Sequence, residues 1–264
     1  MKTNNTKREI TRGRMATYIW GRNPITETLQ AGRRVQRILL AEGVRESPTV
    51  STIIQEARRR QIPLEVVPRS RLDQLSHGAV HQGCIAQVAE RSYVSVDEIL
   101  AYAEKRNEPP FLLLLDAIQH VNNLGSLLRT AEAAGVHGII LPQHRAAEVN
   151  ATVVKTSAGA TEHLLIAQET NLTRTIDYLK EHQLWVVGLA GEGHTLYTQA
   201  NLTGPLALVV GNEGKGMGRL VREHCDLLIR LPMYGHVNSL NAAVAGSIAL
   251  YEALRQRDTQ HSVR

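Results

Sequence analysis

Three stretches of this 264-residue chain set amide, hydroxyl, guanidinium or carboxylate side chains beside a glycine where an apolar run ends. The first runs Asp116-Ala-Ile-Gln-His-Val-Asn-Asn123-Leu-Gly125-Ser-Leu-Leu-Arg129. Leu124, Leu127, Leu128, Ala131 and Ala134 recur at helical spacing, so they predict a helix facing a sheet, capped by Asn122 or Asn123. Gly125 and Arg129, four apart, then share the opposite side, and Arg129 is either a surface arginine or a group aimed at a ligand above the strand's carboxyl end. The second stretch, Leu208-Val-Val-Gly211-Asn-Glu213-Gly-Lys-Gly216, is a buried strand entering a glycine-rich turn. It is not a Walker loop, because Lys215 is not followed by Ser or Thr, and it is not Gly-x-Gly-x-x-Gly. Gly211 there permits close backbone approach to a ligand, while Glu213 is either a site carboxylate or a plain exposed one. The third stretch, Leu231-Pro-Met-Tyr-Gly235-His-Val-Asn-Ser239-Leu240-Asn241, precedes a long helix for which Ser239 is a natural cap. Leu240, Val244, Ile248, Tyr251 and Leu254 form one apolar stripe on that helix, which either faces the sheet or joins two copies of the chain.

The elements that must position these groups fall into two units. From Tyr18 to about Glu90 the pattern reads helix, strand, helix, strand, helix, strand, with strands at Val35–Ala41, Leu64–Val67 and Cys84–Val88. Residues 91–109 read as a polar linker with a short helix at Asp97–Lys105, ending in Asn107-Glu-Pro-Pro110. Beyond it, apolar strands at Phe111–Leu115, Gly138–Leu141, Leu164–Ala167, Leu184–Ala190, Leu206–Val210 and Leu227–Leu231 alternate with helices. That alternation predicts an α/β fold with a largely parallel sheet covered on both faces. The expected division is a basic tail (1–15), a small α/β domain (16–90), the linker (91–109) and a catalytic domain (110–264).

Composition narrows the function classes. The net charge of +5 is concentrated in the first fifteen residues, where five lysines and arginines stand against Glu9. Further arginines cluster at Arg33/Arg34/Arg37, Arg58/Arg59/Arg60 and Arg69/Arg71, which reads either as solvated helix faces or as a phosphate-tracking surface confined to the first unit. Cys84 and Cys225 suggest neither a disulfide framework nor a zinc site. His77 and His81 are four apart, but Gly-Ala-Val between them supplies no catalytic glutamate, so no metal is expected. With no apolar window near the roughly 18 residues of a membrane span and no signal-peptide core at the N-terminus, the expectation is a cytoplasmic protein without membrane contact.

In order and separation, the three stretches resemble motifs one, two and three of the SpoU (TrmH-like) branch of the SPOUT RNA 2′-O-ribose methyltransferases, over about residues 110 to 256. Gly21-Arg-Asn-Pro24 and Gly78-Ala-Val-His-Gln-Gly83 resemble the ribosomal-protein-like substrate-binding domain of RlmB-type enzymes, which methylate a guanosine 2′-hydroxyl in 23S rRNA. The resemblance implies S-adenosyl-L-methionine as cofactor, large-subunit rRNA rather than DNA as substrate, a homodimer and a deep trefoil knot, a topology nearly absent from proteins. It assigns Asn123 and Arg129 from motif one, Gly211 and Glu213 from motif two, and Ser239 and Asn241 from motif three. Leu231 and Leu240 become backbone contacts to the cofactor. A guanidinium is a poor base near neutrality, so Arg129 is expected to clamp developing negative charge while Glu213 orients Asn123 or the substrate, or takes the proton. The chain departs from the family pattern at His120-Val121, where Asp-Pro is usual, and at Ala243, where serine is frequent. The competing expectations are a tRNA ribose methyltransferase and a catalytically silent RNA-binding ribosome-assembly protein.

Overall fold

Residues 17–261 are described by the computed structural model, and the basic tail lies outside the described residues. The first unit opens with strand β1 (Thr17–Trp20), followed by α1 (Arg22–Gln30), β2 (Val35–Ala41), α2 (Pro48–Arg59), β3 (Leu64–Val67), α3 (Arg69–Leu75) and β4 (Cys84–Val88). The sequence pattern began this unit with a helix and missed β1. Four residues are too few to show a period, and Thr17–Trp20 becomes a strand because antiparallel β4 pairs with it, Ile19 opposite Ala86. The four strands lie in the order β1-β4-β2-β3. Helix α2 starts as its sequence directs, with Pro48 following Ser47, whose hydroxyl accepts from Val50 N at 3.3 Å.

The segment expected to be a linker holds α4 (Val96–Lys105), begun by a Ser95/Glu98 capping box. This helix packs on the sheet of the second unit: Val96 and Ile99 are buried with Leu112, Leu114 and Ile140.

The second unit continues with β5 (Phe111–Asp116), α5 (Val121–Ala133), β6 (Gly138–Pro142), α6 (Ala151–Thr156), a 3₁₀ turn (Ala160–His163), β7 (Leu165–Glu169), α7 (Leu172–Glu181), β8 (Trp185–Leu189) and β9 (Thr195–Leu196). It ends with β10 (Leu206–Gly211), α8 (Arg219–His224), β11 (Leu227–Arg230) and α9 (Ala242–His261). The seven strands are all parallel, in the order β7-β6-β5-β10-β8-β11-β9. Alternate residues of β5 and β10 supply two cores. Leu113, Leu115, Leu208 and Val210 meet α5 and α9, while Leu112, Leu114, Ala207 and Val209 meet α4, α7 and α8. Strand β11 inserts between β8 and β9, which precede it in the chain. The loop joining those two strands crosses it so closely that a Cβ on Gly193 would lie 2.8 Å from the Leu228 carbonyl oxygen. Among the described residues no helix is long and apolar enough to cross a membrane.

Candidate active site

The carboxyl ends of β8, β10 and β11 open onto one cleft of about 580 Å³. Its wall includes Leu189, Val210, Gly211, Leu231, Met233 and Leu240, and its rim includes Glu213 and Ser239. Gly211 is demanded by the turn itself, because a Cβ there would overlap the backbone of Gly216 and Met217, where Asn212 and Gly216 bond back to each other. Asn212 also ties the turn to the first stretch by donating from Nδ2 to the Ala117 carbonyl at 2.9 Å. Ala117 has φ of 59°, an uncommon conformation for a residue with a side chain, so Asn212 braces a strained strand end. Gly218 N donates to Asp116 Oδ2 at 2.7 Å and closes the same junction. Asn212 and Asp116 were visible inside the two motifs, but only the folded contacts give them this bracing part.

Three of the expected site residues form one hydrogen-bonded chain. Asn123 Nδ2 donates to Glu213 Oε1, and Asn241 Nδ2 donates to Asn123 Oδ1 at 3.0 Å. Asn241 Oδ1 in turn accepts from Ala243 N at 2.9 Å and Val244 N at 3.2 Å, the second and third N–H groups of α9, which have no partner within the helix. The cap of α9 is therefore Asn241, not Ser239, which is exposed on the cleft rim. Asn122 and Asn123 do not cap α5 either. His120 stands at that position with no side-chain bond, and Val121 begins the helix where the family favours proline.

Gly125 departs from its expected place. It is buried against α6, where a Cβ would overlap Thr156 Oγ1 and lie 3.1 Å from Ser157 N, so only Arg129 of the pair faces outward. Arg129 lines no part of the cleft of its own chain. Beside the cleft, a second groove of about 440 Å³ runs between α5 and α9, lined by Asn123, Asn241, Val244, Ile248 and Tyr251. The apolar stripe is exposed there, Val244 by 49% and Tyr251 by 51%, while the opposite side of α9, Ala249, Leu250 and Ala253, meets the sheet.

A model of the SpoU rRNA Methylase family matches residues 110–251, and a model for RNA 2′-O ribose methyltransferase substrate binding matches residues 18–94. The chain belongs to the SpoU family. It is 44% identical over 241 residues to the putative TrmH family tRNA/rRNA methyltransferase YacO of Bacillus subtilis (strain 168), covering 91% of this chain and 96% of that one. Among solved structures, the SpoU methyltransferase AviRb from Streptomyces viridochromogenes superposes with a TM-score of 0.78 at 26% identity, over 93% of this chain and 91% of that one. AviRb has also been solved in complex with the cofactor AdoMet. The TrmH/SpoU tRNA modifying enzyme of A. aeolicus covers 62% of this SpoU chain and 85% of its own, with a TM-score of 0.54 and 26% identity.

The other titratable candidates serve the fold of this SpoU chain. His81 accepts from Gly83 N at its Nδ1, and its Nε2 meets Asp73 Oδ1 at 3.0 Å, which commits both ring nitrogens. Burial pushes the Cys84 thiol up to about 11 and Cys225 up to about 12, so neither is a thiolate nucleophile near neutrality. Among the described residues no cluster of His, Cys, Asp and Glu could hold a metal ion.

Proposed function

We propose that this RNA 2′-O-ribose methyltransferase takes the methyl group of S-adenosyl-L-methionine and delivers it to the 2′-hydroxyl of a guanosine in large-subunit (23S) rRNA. The observation that carries the site is the Glu213–Asn123–Asn241 chain, which joins residues from three separate strand ends, with Glu213 lining the cleft and Asn123 and Asn241 the adjoining groove. The cleft suits the cofactor in size, within the roughly 300–1,000 Å³ usual for such ligands, and in combining apolar lining residues with two carboxylates, Glu192 and Glu213. Gly211 and the backbones of Leu231 and Leu240 would hold the cofactor, which when bound supplies an electrophilic methyl group. Asn123 keeps one amide N–H free to orient the ribose, and Glu213 keeps its second oxygen free to accept the hydroxyl proton. Ser239 and Asn241 would fix the same edge by hydrogen bonds, and Arg129 would clamp the developing alkoxide or a neighbouring phosphate.

The reading includes a homodimer, supported by the exposed stripe of α9 and by Arg129 lying outside its own cleft. Pairing across the α5/α9 groove would bring Arg129 of one protomer to the cleft of its partner. It also includes the trefoil knot, supported by β11 threading between β8 and β9, and cytoplasmic action on RNA. The N-terminal unit favours rRNA over tRNA as the substrate, since the tRNA-modifying A. aeolicus enzyme covers only 62% of this chain.

Calorimetry with S-adenosylmethionine, followed by mapping of ribose methylation in total RNA from a deletion strain, tests the reading. Loss of one 2′-O-methylguanosine in 23S rRNA is the expected result. A loss confined to tRNA would change the substrate, and no loss would leave a silent RNA-binding protein.

A further inference from the structure

The two units meet through charge. Glu162, on the 3₁₀ turn of the catalytic unit, has a side chain only 2% exposed, and its Oε1 accepts from Arg33 NH1 at 3.0 Å and Arg91 NH2 at 2.7 Å. Arg33 lies between α1 and β2, and Arg91 follows β4, so both cations come from the RNA-binding side. Each is held further: Arg33 Nε donates to the Ala89 carbonyl at 3.0 Å, and Arg91 NH1 to the Thr161 carbonyl at 2.9 Å. Arg91 Nε and Thr161 Oγ1 remain buried without a partner. Two guanidiniums on one carboxylate, with polar atoms left over, are a poor means of gaining stability, since a packed apolar seam of equal volume serves as well or better. Such a cluster instead discriminates against other arrangements, because any other docking angle strands a buried charge.

The surroundings of the triad extend to the active-site helix. Val154 of α6 is buried in the core of the first unit, and α6 packs on β1. On its other side α6 presses Thr156 onto Gly125 of α5, the helix that carries Asn123 and Arg129. Glu27 of α1 meets His163 at 2.9 Å, and Lys155 donates to the Val80 carbonyl, both across the same seam.

We infer that Glu162 is a positioning residue: with Arg33 and Arg91 it fixes the RNA-binding unit in one orientation on the catalytic unit, so that RNA held by the first is presented to α5 at a set distance. The consequence for RNA rests on the proposed methyl transfer, whereas the docking itself does not.

The full-length Glu162→Gln chain separates the two. Small-angle scattering reads docking without reference to activity, and a larger radius of gyration than wild type is expected, with S-adenosylmethionine affinity within twofold. With a full-length 23S rRNA transcript, KM should rise at least about tenfold, in line with the cost of misplacing a reactant. On a short hairpin carrying the mapped guanosine, kcat should stay within twofold. Arg33→Gln, which leaves Arg91 on Glu162, should show the same pattern more weakly and serves if the first variant does not fold. Unchanged scattering, or equal losses on transcript and hairpin, would overturn the inference. If scattering changes as expected but wild type methylates neither RNA, the docking role stands and the functional reading falls.

Discussion

Asn123 has its amide committed on both sides, to Glu213 and to Asn241, and that commitment holds its side chain in one orientation. Asn123→Ala should lower kcat by about 100-fold or more, the usual cost of removing a preorganised donor, with little change in melting temperature. Arg129 is exposed, so Arg129→Ala should leave the fold and cofactor affinity intact while abolishing turnover in single-turnover assays. Activity within tenfold of wild type, about 1.4 kcal/mol in barrier, would remove it from the reaction. Gly125 matters to packing instead. Gly125→Ala drives a methyl into Thr156 and should destabilise the chain by about 1–3 kcal/mol in urea unfolding. A fourth residue couples the fold to pH. His137 Nδ1 accepts from Phe111 N at 3.0 Å, and burial, offset in part by Glu108, holds its imidazole below its ordinary value of 6.5. The folded chain thus favours the neutral ring, and the unfolded chain binds the proton first. Its contribution is present above pH 6.5 and is lost as pH falls through the folded value. In His137→Asn, whose amide oxygen can replace Nδ1 as acceptor, melting temperature should fall less steeply between pH 7 and 5.

Helix α9 shows how one element serves two surfaces. Ala249, Leu250 and Ala253 meet the sheet, and Val244, Ile248 and Tyr251 are left to water in a single chain. An apolar stripe beside polar Asn123 and Asn241 is the composition of an interface that adjoins a site. If two copies pair there, the interface should bury more than about 1,200 Å² and persist at micromolar concentration. Ile248→Asp should then yield a folded monomer near 29.2 kDa in analytical ultracentrifugation and strongly reduced methylation. A wild-type chain that is monomeric and fully active would sink this pairing.

For the molecule as a whole, the polar stretch between the units contributes a helix to the core of the second. Helix α4 covers Leu112, Leu114 and Ile140, and burying Ile99 alone is worth about 1.5–3 kcal/mol. A fragment of residues 92–264 should therefore fold and bind S-adenosylmethionine, whereas one of residues 108–264 should be markedly less stable by circular dichroism. Neither should methylate RNA as the whole chain does, because the unit with the clustered arginines is missing.

The sequence by itself determined the α/β class, six of the seven strands of the parallel sheet and the three glycine-bearing strand ends. It could do so because apolar runs and helical spacing are local signals, and the motif order is written along the chain. It also marked Asn123, Glu213 and Asn241, though not their contact, since residues 90 and 118 positions from Asn123 meet it only when β10 pairs with β5 and α9 packs on α5. What tertiary structure alone decided were the matters in which a distant partner outweighs local preference. Strand β1 exists through β4, Gly125 is small because α6 crosses it, and Asn241 rather than Ser239 caps α9 because its side chain reaches Ala243 and Val244 N while Ser239 turns to the cleft. Glu162 gave no signal in the sequence, because an isolated glutamate before a histidine acquires meaning only when folding buries it between two arginines 129 and 71 residues away.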